Sequence, residues 1–264
     1  MKILFVQIRK DAMKEHEYAC VLEKTGLTHD ELVSFDIFER LITPADLDGF
    51  DALIVGGSGG YCVSERVIVS EIEAIEEVIR EARRRMMPIL GLCFGHHLIA
   101  EALGGEVKQD RERQEVGTFE FERLPSSDQD PIFSQLPNTF FVQEGHKDHV
   151  SRLPFGAVHL GQTPLSPLQA FTFPGEAIYS MQLHPELAKK DVFTRLGFYR
   201  DLYLKSLIDG KTIDAGVTAE GVSASGQTEF DEIMNRTFDT PEAEQILRLF
   251  LNEVVIQKKR YPQF

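Results

Sequence analysis

The feature that most constrains the fold is the alternation of short apolar runs with helical patterns over the first hundred residues. Runs rich in β-forming residues span 2–8, 32–38, 51–55 and 88–92. Helical patterns lie between them at 11–24 and 64–85, and the second carries an apolar stripe on one face. Such alternation is typical of α/β folds. We therefore expect a mostly parallel central sheet flanked by helices.

From residue 104 onward, short strand patterns predominate and are separated by Pro, Gly and Asn. These patterns span 116–124, 139–143, 157–162, 168–173 and 177–183. They predict an antiparallel or mixed extension of the sheet. A helical pattern returns at 187–207.

The remainder of the chain is predicted to be an extension at 208–264 that follows a main domain at 1–207. Residues 215–227 are rich in Gly, Ser, Thr and Ala, which predicts a mobile loop or linker. Residues 241–259 have the apolar spacing of an amphipathic helix. We expect this helix to pack on the core, and docking of a partner or a second subunit is the alternative.

Charge and cysteine content exclude several classes of protein. The 264-residue chain has 28 Lys and Arg against 42 Asp and Glu, a formal net charge of −14. Such a chain is poorly suited to phosphate backbones or anionic lipids, so we expect no nucleic-acid and no membrane binding. The amino-terminal apolar run is too short for a signal peptide, and three scattered cysteines do not form a disulfide framework. These features predict a cytoplasmic protein.

The most informative motif is Gly91-Leu92-Cys93-Phe94-Gly95, which lies between a predicted strand and a predicted helix. Glycines two residues before and after a nucleophile relieve crowding on a strained strand-to-helix turn. A helix start also places free N–H groups and a positive dipole end beside the sulfur, which favours the thiolate. The alternative is that Cys93 is a small buried apolar residue.

A second motif, His184-Pro185-Glu186, follows about ninety residues later. Residues two apart in an extended segment point the same way, so Glu186 can orient the imidazole of His184. A His held in this way can exchange protons with a thiol and a leaving amine. The alternative is a strand-end His with a solvated Glu. In α/β-hydrolases the acid precedes the His in the chain, so the order here argues against that family.

With these two motifs, the chain resembles the class I glutamine amidotransferases, which carry a Cys-His-Glu triad. Residues 55–58, Val-Gly-Gly-Ser, match the glycine-rich oxyanion loop of that family. Residues 145–150 resemble its His-x-Asp segment, in the branch related to the amidotransferase domain of GMP synthase. The resemblance covers roughly residues 1–203 and implies a flavodoxin-like α/β fold.

The resemblance also implies a mechanism and a set of site residues. Cys93 would attack the γ-carboxamide of glutamine or a related γ-glutamyl amide, with His184 as the acid and base and Glu186 as its orienting group. The implied oxyanion hole contains the backbone N–H groups of Gly57 and Phe94. The implied substrate-binding residues are Ser58, His97, His146 and Asp148. We expect no cofactor and no metal.

Two features depart from the family pattern. His97 stands four residues after the nucleophile, where the family usually has Gln; this is either a neutral replacement or a change of specificity. The loop at 57–62 has extra glycines, which permits either an adjustable oxyanion hole or a neutral variant. We interpret Cys62, within that loop, as a packing residue.

Three functions remain open at this point. The first is a stand-alone hydrolase whose substrate is glutamine or another small γ-glutamyl compound. The second is an ammonia-supplying subunit that works with a separate synthase partner, because no nucleotide-binding loop follows residue 203. The third is a non-catalytic binding or regulatory module. The sequence does not reveal the oligomeric state.

Overall fold

A computed structural model describes residues 1–201 and 224–260 of the chain. Nine strands form one sheet, and five adjacent strands at one side of it run parallel. These five strands, in their spatial order, are β2 (Leu32–Asp36), β1 (Ile3–Ile8), β3 (Ala52–Ser58), β4 (Ile89–Leu92) and β11 (Ile178–Met181). Their buried apolar runs correspond to the strands expected from the sequence.

The other half of the sheet is antiparallel and continues from β11. Its strands, outward from β11, are β10 (Ala170–Thr172), β9 (Val158–Gln162), β6 (Glu115–Arg123) and β7 (Thr139–His146). A separate two-stranded sheet pairs β5 (Glu106–Gln109) with β8 (Asp148–Arg152). The expected α/β architecture with an antiparallel extension is confirmed.

Helices pack on both faces of the sheet. They are α1 (Met13–Thr25), α2 (Val69–Arg84), α3 (Phe94–Ala102), α4 (Lys189–Phe198) and α5 (Ala224–Arg236). A last helical run, here called the C-terminal helix, spans residues 246–260 and is π-helical at Phe250–Val255. No helix within 1–201 or 224–260 is both long enough and apolar enough to cross a bilayer.

Several local predictions are wrong. The helix expected from residue 64 begins at Val69, because Arg66 has a left-handed backbone with φ 53°, which a helix does not accommodate. Strands β5 and β8 were not anticipated, since β5 is polar and mostly exposed and has no apolar alternation. Residues 224–227, within the predicted mobile loop, belong to helix α5. Residues 202–207 of the predicted helix and 215–223 of that loop lie outside the described residues.

The core has two layers, one on each face of the sheet. One layer contains the apolar stripe of α2 and the helix α3. The other contains α1 and the C-terminal helix, whose Ile246 and Phe250 are fully buried against residues of the sheet. An ion pair between Lys24 and Glu244, 2.7 Å long, also joins α1 to the segment before that helix. The apolar face of the C-terminal helix therefore packs on the same core as the sheet.

Candidate active site

The strand order brings three separate segments together at one edge of the sheet. β3, β4 and β11 are neighbours and parallel, with Val55 opposite Gly91 and Leu92 opposite Met181. The segments that follow their carboxyl ends therefore meet at this edge, which is where ligands bind in open α/β sheets. These segments carry the glycine-rich loop, Cys93 and His184.

Cys93 occupies a strained turn between β4 and α3. Its φ of 50° and ψ of −100° are unusual for a residue with a side chain, and strain of this kind clusters at functional sites. The two flanking positions have room only for glycine. A Cβ atom on Gly91 would lie 2.5 Å from Ile99 Cδ1, and one on Gly95 would lie 2.2 Å from the carbonyl oxygen of Val55. The Gly-x-Cys-x-Gly motif is thus explained by close packing around the cysteine.

The thiol of Cys93 lies in a closed environment. The residue is 6% exposed, and its thiol donates to the carbonyl oxygen of Gly145 at 3.9 Å. Burial raises the pKa of Cys93, the carboxyl group of Glu144 raises this pKa further, and Arg9 lowers it. The helix start therefore does not by itself maintain a thiolate in this structure. A base must remove the proton when the nucleophile is needed.

His184 and Glu186 form the hydrogen bond that the second motif predicts. The distance from His184 Nδ1 to Glu186 Oε1 is 2.8 Å, and Arg195 Nη1 donates to the same oxygen at 3.0 Å. Burial alone would raise the pKa of Glu186, but His184 and Arg195 together lower it to about 2. An ionised Glu186 only accepts hydrogen bonds, so Nδ1 of His184 carries a proton and Nε2 is available as the base.

The glycine-rich loop is held by a buried carboxylate. The backbone N–H of Gly57 donates to Glu17 Oε1 at 3.0 Å, and Arg9 Nε lies 3.2 Å from Glu17 Oε2. Arg9 also donates to the hydroxyl of Tyr199, which packs so closely on Gly59 that a Cβ atom there would lie 2.1 Å from the hydroxyl oxygen. One of the two expected oxyanion donors is therefore occupied by Glu17 in this structure.

A small cavity of about 50 Å³ lies at this edge of the sheet. This volume holds one or two water molecules but not an amino acid. Its walls come from the glycine-rich loop, from β7 and from the segment containing α4. The lining residues are Arg9, Ser58, Gly59, Glu144, Gly145, His184, Leu187, Val192, Arg195, Leu196 and Tyr199. Entry of a substrate requires this wall to move.

The residues predicted to bind substrate are not all at the cavity. Ser58 lines it, and its hydroxyl donates to the carbonyl oxygen of Tyr61 at 2.6 Å. His97 lies on the first turn of α3, is 2% exposed, and has Nε2 2.6 Å from Gln182 Oε1. Burial lowers the pKa of His97 to about 4. Its ring is thus neutral near pH 7 and does not line the cavity, so its role in binding stays a prediction.

His146 and Asp148 have hydrogen-bond partners within the protein. Nδ1 of His146 donates to the carbonyl oxygen of Asp148 at 2.8 Å, and Nε2 lies 3.0 Å from Glu115 Oε2. The carboxylate of Asp148 accepts from the backbone N–H and the hydroxyl of Ser64. Gly145, which precedes His146 in the chain, lines the cavity, but His146 and Asp148 do not. A substrate role for either residue therefore stays a prediction.

Sequence reasoning did not find Glu17, Glu144 or Arg195, which the fold brings to this site from α1, β7 and α4. Among the described residues, two clusters have the composition of a metal site: His16 with Cys20 and Asp191, and Glu115 with Glu144 and His146. Each cluster pairs two residues of one element, His16 with Cys20 in α1 or Glu144 with His146 in β7, with a third residue that is distant in the chain, so local spacing alone does not indicate either cluster. The only signal in the sequence is an acidic residue beside an apolar strand pattern, such as Glu144 in β7, and this signal does not distinguish a buried from an exposed side chain.

Comparison with known protein families gives an independent result. The family model described as "Glutamine amidotransferase class-I" matches residues 22–196. A glutamine-hydrolyzing GMP synthase subunit from Methanocaldococcus jannaschii is 33% identical over 118 residues, which are 45% of this chain and 61% of that protein. The corresponding subunit from Thermococcus kodakarensis is 40% identical over 102 residues, 39% of this chain and 52% of that protein. The matched part is thus between half and two thirds of these relatives.

Solved structures share the fold over nearly the whole chain. A glutamine amidotransferase from Thermotoga maritima superposes with a TM-score of 0.67 at 20% identity and covers 97% of this chain and 98% of that one. At this identity the likeness concerns the fold alone. It agrees with the α/β architecture described above.

Proposed function

The chain belongs to the class I glutamine amidotransferase family, and we propose that it hydrolyses the γ-carboxamide of glutamine, or a related γ-glutamyl amide, through a thioester on Cys93. The observation that carries this proposal is the strained backbone of Cys93, at the same sheet edge as the hydrogen-bonded pair His184 and Glu186. We further propose that the protein acts in the cytosol, since its three cysteines are free.

In the first half of the proposed reaction, Nε2 of His184 takes the proton from the thiol of Cys93. The sulfur attacks the amide carbon, and the backbone N–H of Phe94, at the start of α3, stabilises the oxyanion. Collapse of the tetrahedral intermediate breaks the carbon–nitrogen bond. His184 gives its proton to the leaving nitrogen, so that ammonia or an amine departs and a γ-glutamyl thioester remains.

The second half uses the same groups in reverse. His184 takes a proton from water, and the resulting hydroxide attacks the thioester carbon. Glutamate leaves, and the sulfur regains the proton from His184. Glu186 keeps its charge throughout, because its pKa of about 2 is far below neutral pH, and it stabilises the imidazolium that forms twice in each cycle.

Ammonia release from glutamine by the purified chain tests this proposal. We expect turnover by the wild type and a loss of at least about a hundredfold in Cys93→Ala. Cys62→Ala is the matched control, because Cys62 is a second free cysteine, lies close after the glycine-rich loop in the chain, and has no role in the proposed reaction. Full activity of Cys93→Ala would exclude the thioester route.

A second function, an ammonia-supplying subunit that needs a synthase partner, is favoured by a different observation. The N–H of Gly57 is occupied by Glu17, and the cavity is too small for an amino acid. A partner that moves α4 would open the cavity and release the donor. This function predicts slow turnover of the isolated chain and faster turnover once the tagged chain is purified together with a bound synthase. Equal turnover in both preparations would favour the stand-alone hydrolase.

A further inference from the structure

Three metal-ligating side chains of different types meet between α1 and α4. His16 and Cys20 are four residues apart in α1, so their side chains project from the same face of that helix. Asp191 lies in the first turn of α4. One ligand atom of each residue lies within 4.8 Å of the ligand atoms of the other two. Imidazole, thiolate and carboxylate are the side-chain ligands that zinc takes in proteins.

The distances between these donor atoms match those around a tetrahedral zinc ion. Nε2 of His16 is 3.4 Å from Asp191 Oδ1 and 3.7 Å from Cys20 Sγ. Zinc lies about 2.0–2.2 Å from nitrogen and oxygen ligands and about 2.3 Å from sulfur, which at tetrahedral angles places the nitrogen about 3.4 Å from the oxygen and about 3.6 Å from the sulfur. A hydrogen bond would hold the nitrogen and the oxygen at about 2.7–3.2 Å. The spacing of His16 and Asp191 therefore suits an ion between them better than a direct bond.

The surroundings of the cluster provide support for one ligand and access for an ion. Asp191 Oδ2 accepts from the backbone N–H of Ala188 at 3.0 Å, which fixes the carboxylate and leaves Oδ1 facing His16. Cys20 is buried, whereas the side chain of His16 is 19% exposed. An ion can therefore enter from solvent at His16 and keep a water molecule as its fourth ligand.

Two arginines, Arg195 and Arg9, interact electrostatically with His16 and oppose a positive ion. Their charges are offset, because Arg195 pairs with Glu186 and Arg9 pairs with Glu17. Binding of Zn²⁺ also releases the proton of the Cys20 thiol. The ion, the thiolate and the carboxylate of Asp191 then have no net charge together.

We propose that His16, Cys20 and Asp191 bind a zinc ion together with one water molecule, and that this ion holds α4 against α1. Val192, the residue after Asp191, lines the cavity of the candidate active site. An ion that restrains α4 therefore restrains the wall that must move when a substrate enters. This inference departs from the sequence-based expectation of no metal, because Asp191 is distant in the chain from the other two ligands. The metal site itself does not rest on the proposed function.

Packing of Cys20 as a small apolar residue is the main alternative. Cys20 belongs to the same buried apolar cluster as Leu187, Val192 and Leu196. Packing explains why the sulfur is buried. It does not explain why an imidazole and a carboxylate from two different helices lie beside that sulfur at the distances of a coordination shell.

The second cluster, Glu115 with Glu144 and His146, is less suited to a metal. His146 Nε2 and Glu115 Oε2 already bond to each other, and Gln169 donates to that same oxygen of Glu115. A metal would have to break both contacts. It would also lack a thiolate, so the two clusters are distinguishable by spectroscopy.

The test is binding of Zn²⁺ and Co²⁺ to the full chain with Cys93→Ala, which removes the thiol of the candidate active site as a competing ligand. We expect calorimetry to show one equivalent of Zn²⁺. Bound Co²⁺ should give a thiolate-to-metal charge-transfer band and the intense visible bands of tetrahedral cobalt.

Three further changes identify the ligands. His16→Ala should weaken zinc binding at least about 100-fold, because even outer-shell partners contribute about 10- to 100-fold. Cys20→Ser should abolish the charge-transfer band. Cys62→Ser, the matched control, removes a free cysteine outside the cluster and should change neither the affinity nor the spectrum.

Three results would overturn the metal site: no stoichiometric zinc, a cobalt spectrum without the thiolate band, or a zinc affinity that is unchanged in His16→Ala. Because His16 is partly exposed and alanine is favourable in a helix, this variant keeps the test decisive even where Cys20→Ser fails to fold.

The restraint of α4 has its own measurement. In the chain with Cys93 intact, zinc should slow the reaction of Cys93 with a glutamine-like diazo-ketone several-fold, and His16→Ala should remove this effect. Equal rates with and without zinc would overturn the restraint, as would slowing that persists in His16→Ala, since zinc would then act at Cys93 itself. Ammonia release without added zinc reports the proposed function separately.

Discussion

At the scale of single residues, the candidate site combines the buried thiol of Cys93 with the ionised carboxylate of Glu186. Burial raises the pKa of Cys93, while His184 and Arg195 hold the pKa of Glu186 at about 2 despite its burial. In the proposed reaction the thiolate therefore forms by transfer of a proton to His184. We expect activity to depend on the imidazole more than on any lowering of the thiol pKa.

If activity depends on the imidazole of His184, Glu186→Gln should greatly lower kcat. An amide can offer its N–H to Nδ1 and so stabilise the wrong tautomer of His184, in which Nε2 carries the proton. We expect kcat for glutamine to fall by about 10²- to 10⁴-fold with a small change in KM. Steady-state ammonia release measures both constants. Glu120→Gln is the matched control, because Glu120 is an exposed residue of β6. A kcat within threefold of the wild type would contradict the assigned role of Glu186.

The lowered pKa of Glu186 predicts that the stability of the fold depends on pH. The pKa of Glu186 is lowered in the folded protein from 4.5 to about 2, so its ionisation stabilises the fold above pH 4.5. That contribution is lost progressively as the pH falls from 4.5 towards 2. Urea unfolding of the wild type and Glu186→Gln should show a difference in the free energy of unfolding that changes over this range and is constant above it. A difference that does not vary with pH would contradict the shift.

The glycines of the elbow give a prediction about packing. A Cβ atom on Gly95 would lie 2.2 Å from the carbonyl oxygen of Val55, whereas one on Gly60 would meet nothing within 4 Å. We expect Gly95→Ala to destabilise the protein by about 3 kcal/mol or more, and Gly60→Ala by less than about 1 kcal/mol. Thermal or urea unfolding measures both. Equal effects would mean that the elbow is looser than the structure indicates.

Single residues also show how far the sequence predicts this site. Cys93 and the pair His184 and Glu186 were predictable because each motif is local and its geometry follows from neighbouring residues. Glu17 and Glu144 were not, because an acidic residue in α1 or β7 reads as a solvated side chain until the fold shows that it is buried. The occupied N–H of Gly57 likewise depends on a contact with Glu17, forty residues away in the chain.

At the scale of elements, α4 and the residue after it form one wall of the cavity. The hydroxyl of Tyr199, the residue after α4, accepts from Arg9 and donates to Asp11 Oδ2 at 2.8 Å. These bonds connect α4 to the buried pair of Arg9 and Glu17 that holds the glycine-rich loop. Movement of α4 and release of Gly57 are therefore expected to be coupled.

Tyr199→Phe tests this coupling. The change removes both hydrogen bonds of the hydroxyl and leaves the packing of the ring, so we expect a loss of about 1–3 kcal/mol in stability. We also expect a several-fold faster reaction of Cys93 with a glutamine-like diazo-ketone, because the cavity opens more often. Intact-mass spectrometry over time measures the rate. An unchanged or slower rate would contradict a closing role for α4.

The C-terminal helix makes a separate prediction. Phe250 is fully buried in the layer that also contains α1, so Phe250→Ala should cost about 3–5 kcal/mol. Phe155 is 98% exposed, and Phe155→Ala should change the free energy of unfolding by less than about 0.5 kcal/mol. Urea unfolding of the two variants checks the comparison. A small effect at Phe250 would indicate that this helix is not part of the core.

The helices and strands that were predicted correctly are those with one strong pattern of apolar residues in the sequence. The buried runs of β1, β3 and β4 and the apolar stripe of α2 are visible in the sequence. Helix α5 was not predicted, because Gly and Ser at its start suggested a linker, whereas Phe230 of that helix belongs to the same buried apolar cluster as Leu196 of α4. Tertiary packing thus overrode local composition, as it did for the polar strand β5.

At the scale of the whole molecule, the parallel half of the sheet brings the segments that carry Cys93 and His184 to one edge, and β7 of the antiparallel half adds Glu144 to the wall of the cavity. The formal net charge of −14 makes the chain as a whole repulsive to anionic substrates. A zwitterionic amino acid has no net charge and is not subject to this repulsion. The net charge thus favours a zwitterionic ligand over an anionic one.

The central claim is that Cys93 forms a covalent bond with a γ-glutamyl group. The most direct measurement is rapid mixing of the wild-type chain with glutamine, followed by acid quenching, intact-mass spectrometry and peptide mapping. The account predicts a γ-glutamyl adduct on the peptide that contains Cys93, formed together with ammonia and absent from Cys93→Ala. Ammonia release without an adduct, and undiminished in Cys93→Ala, would contradict it.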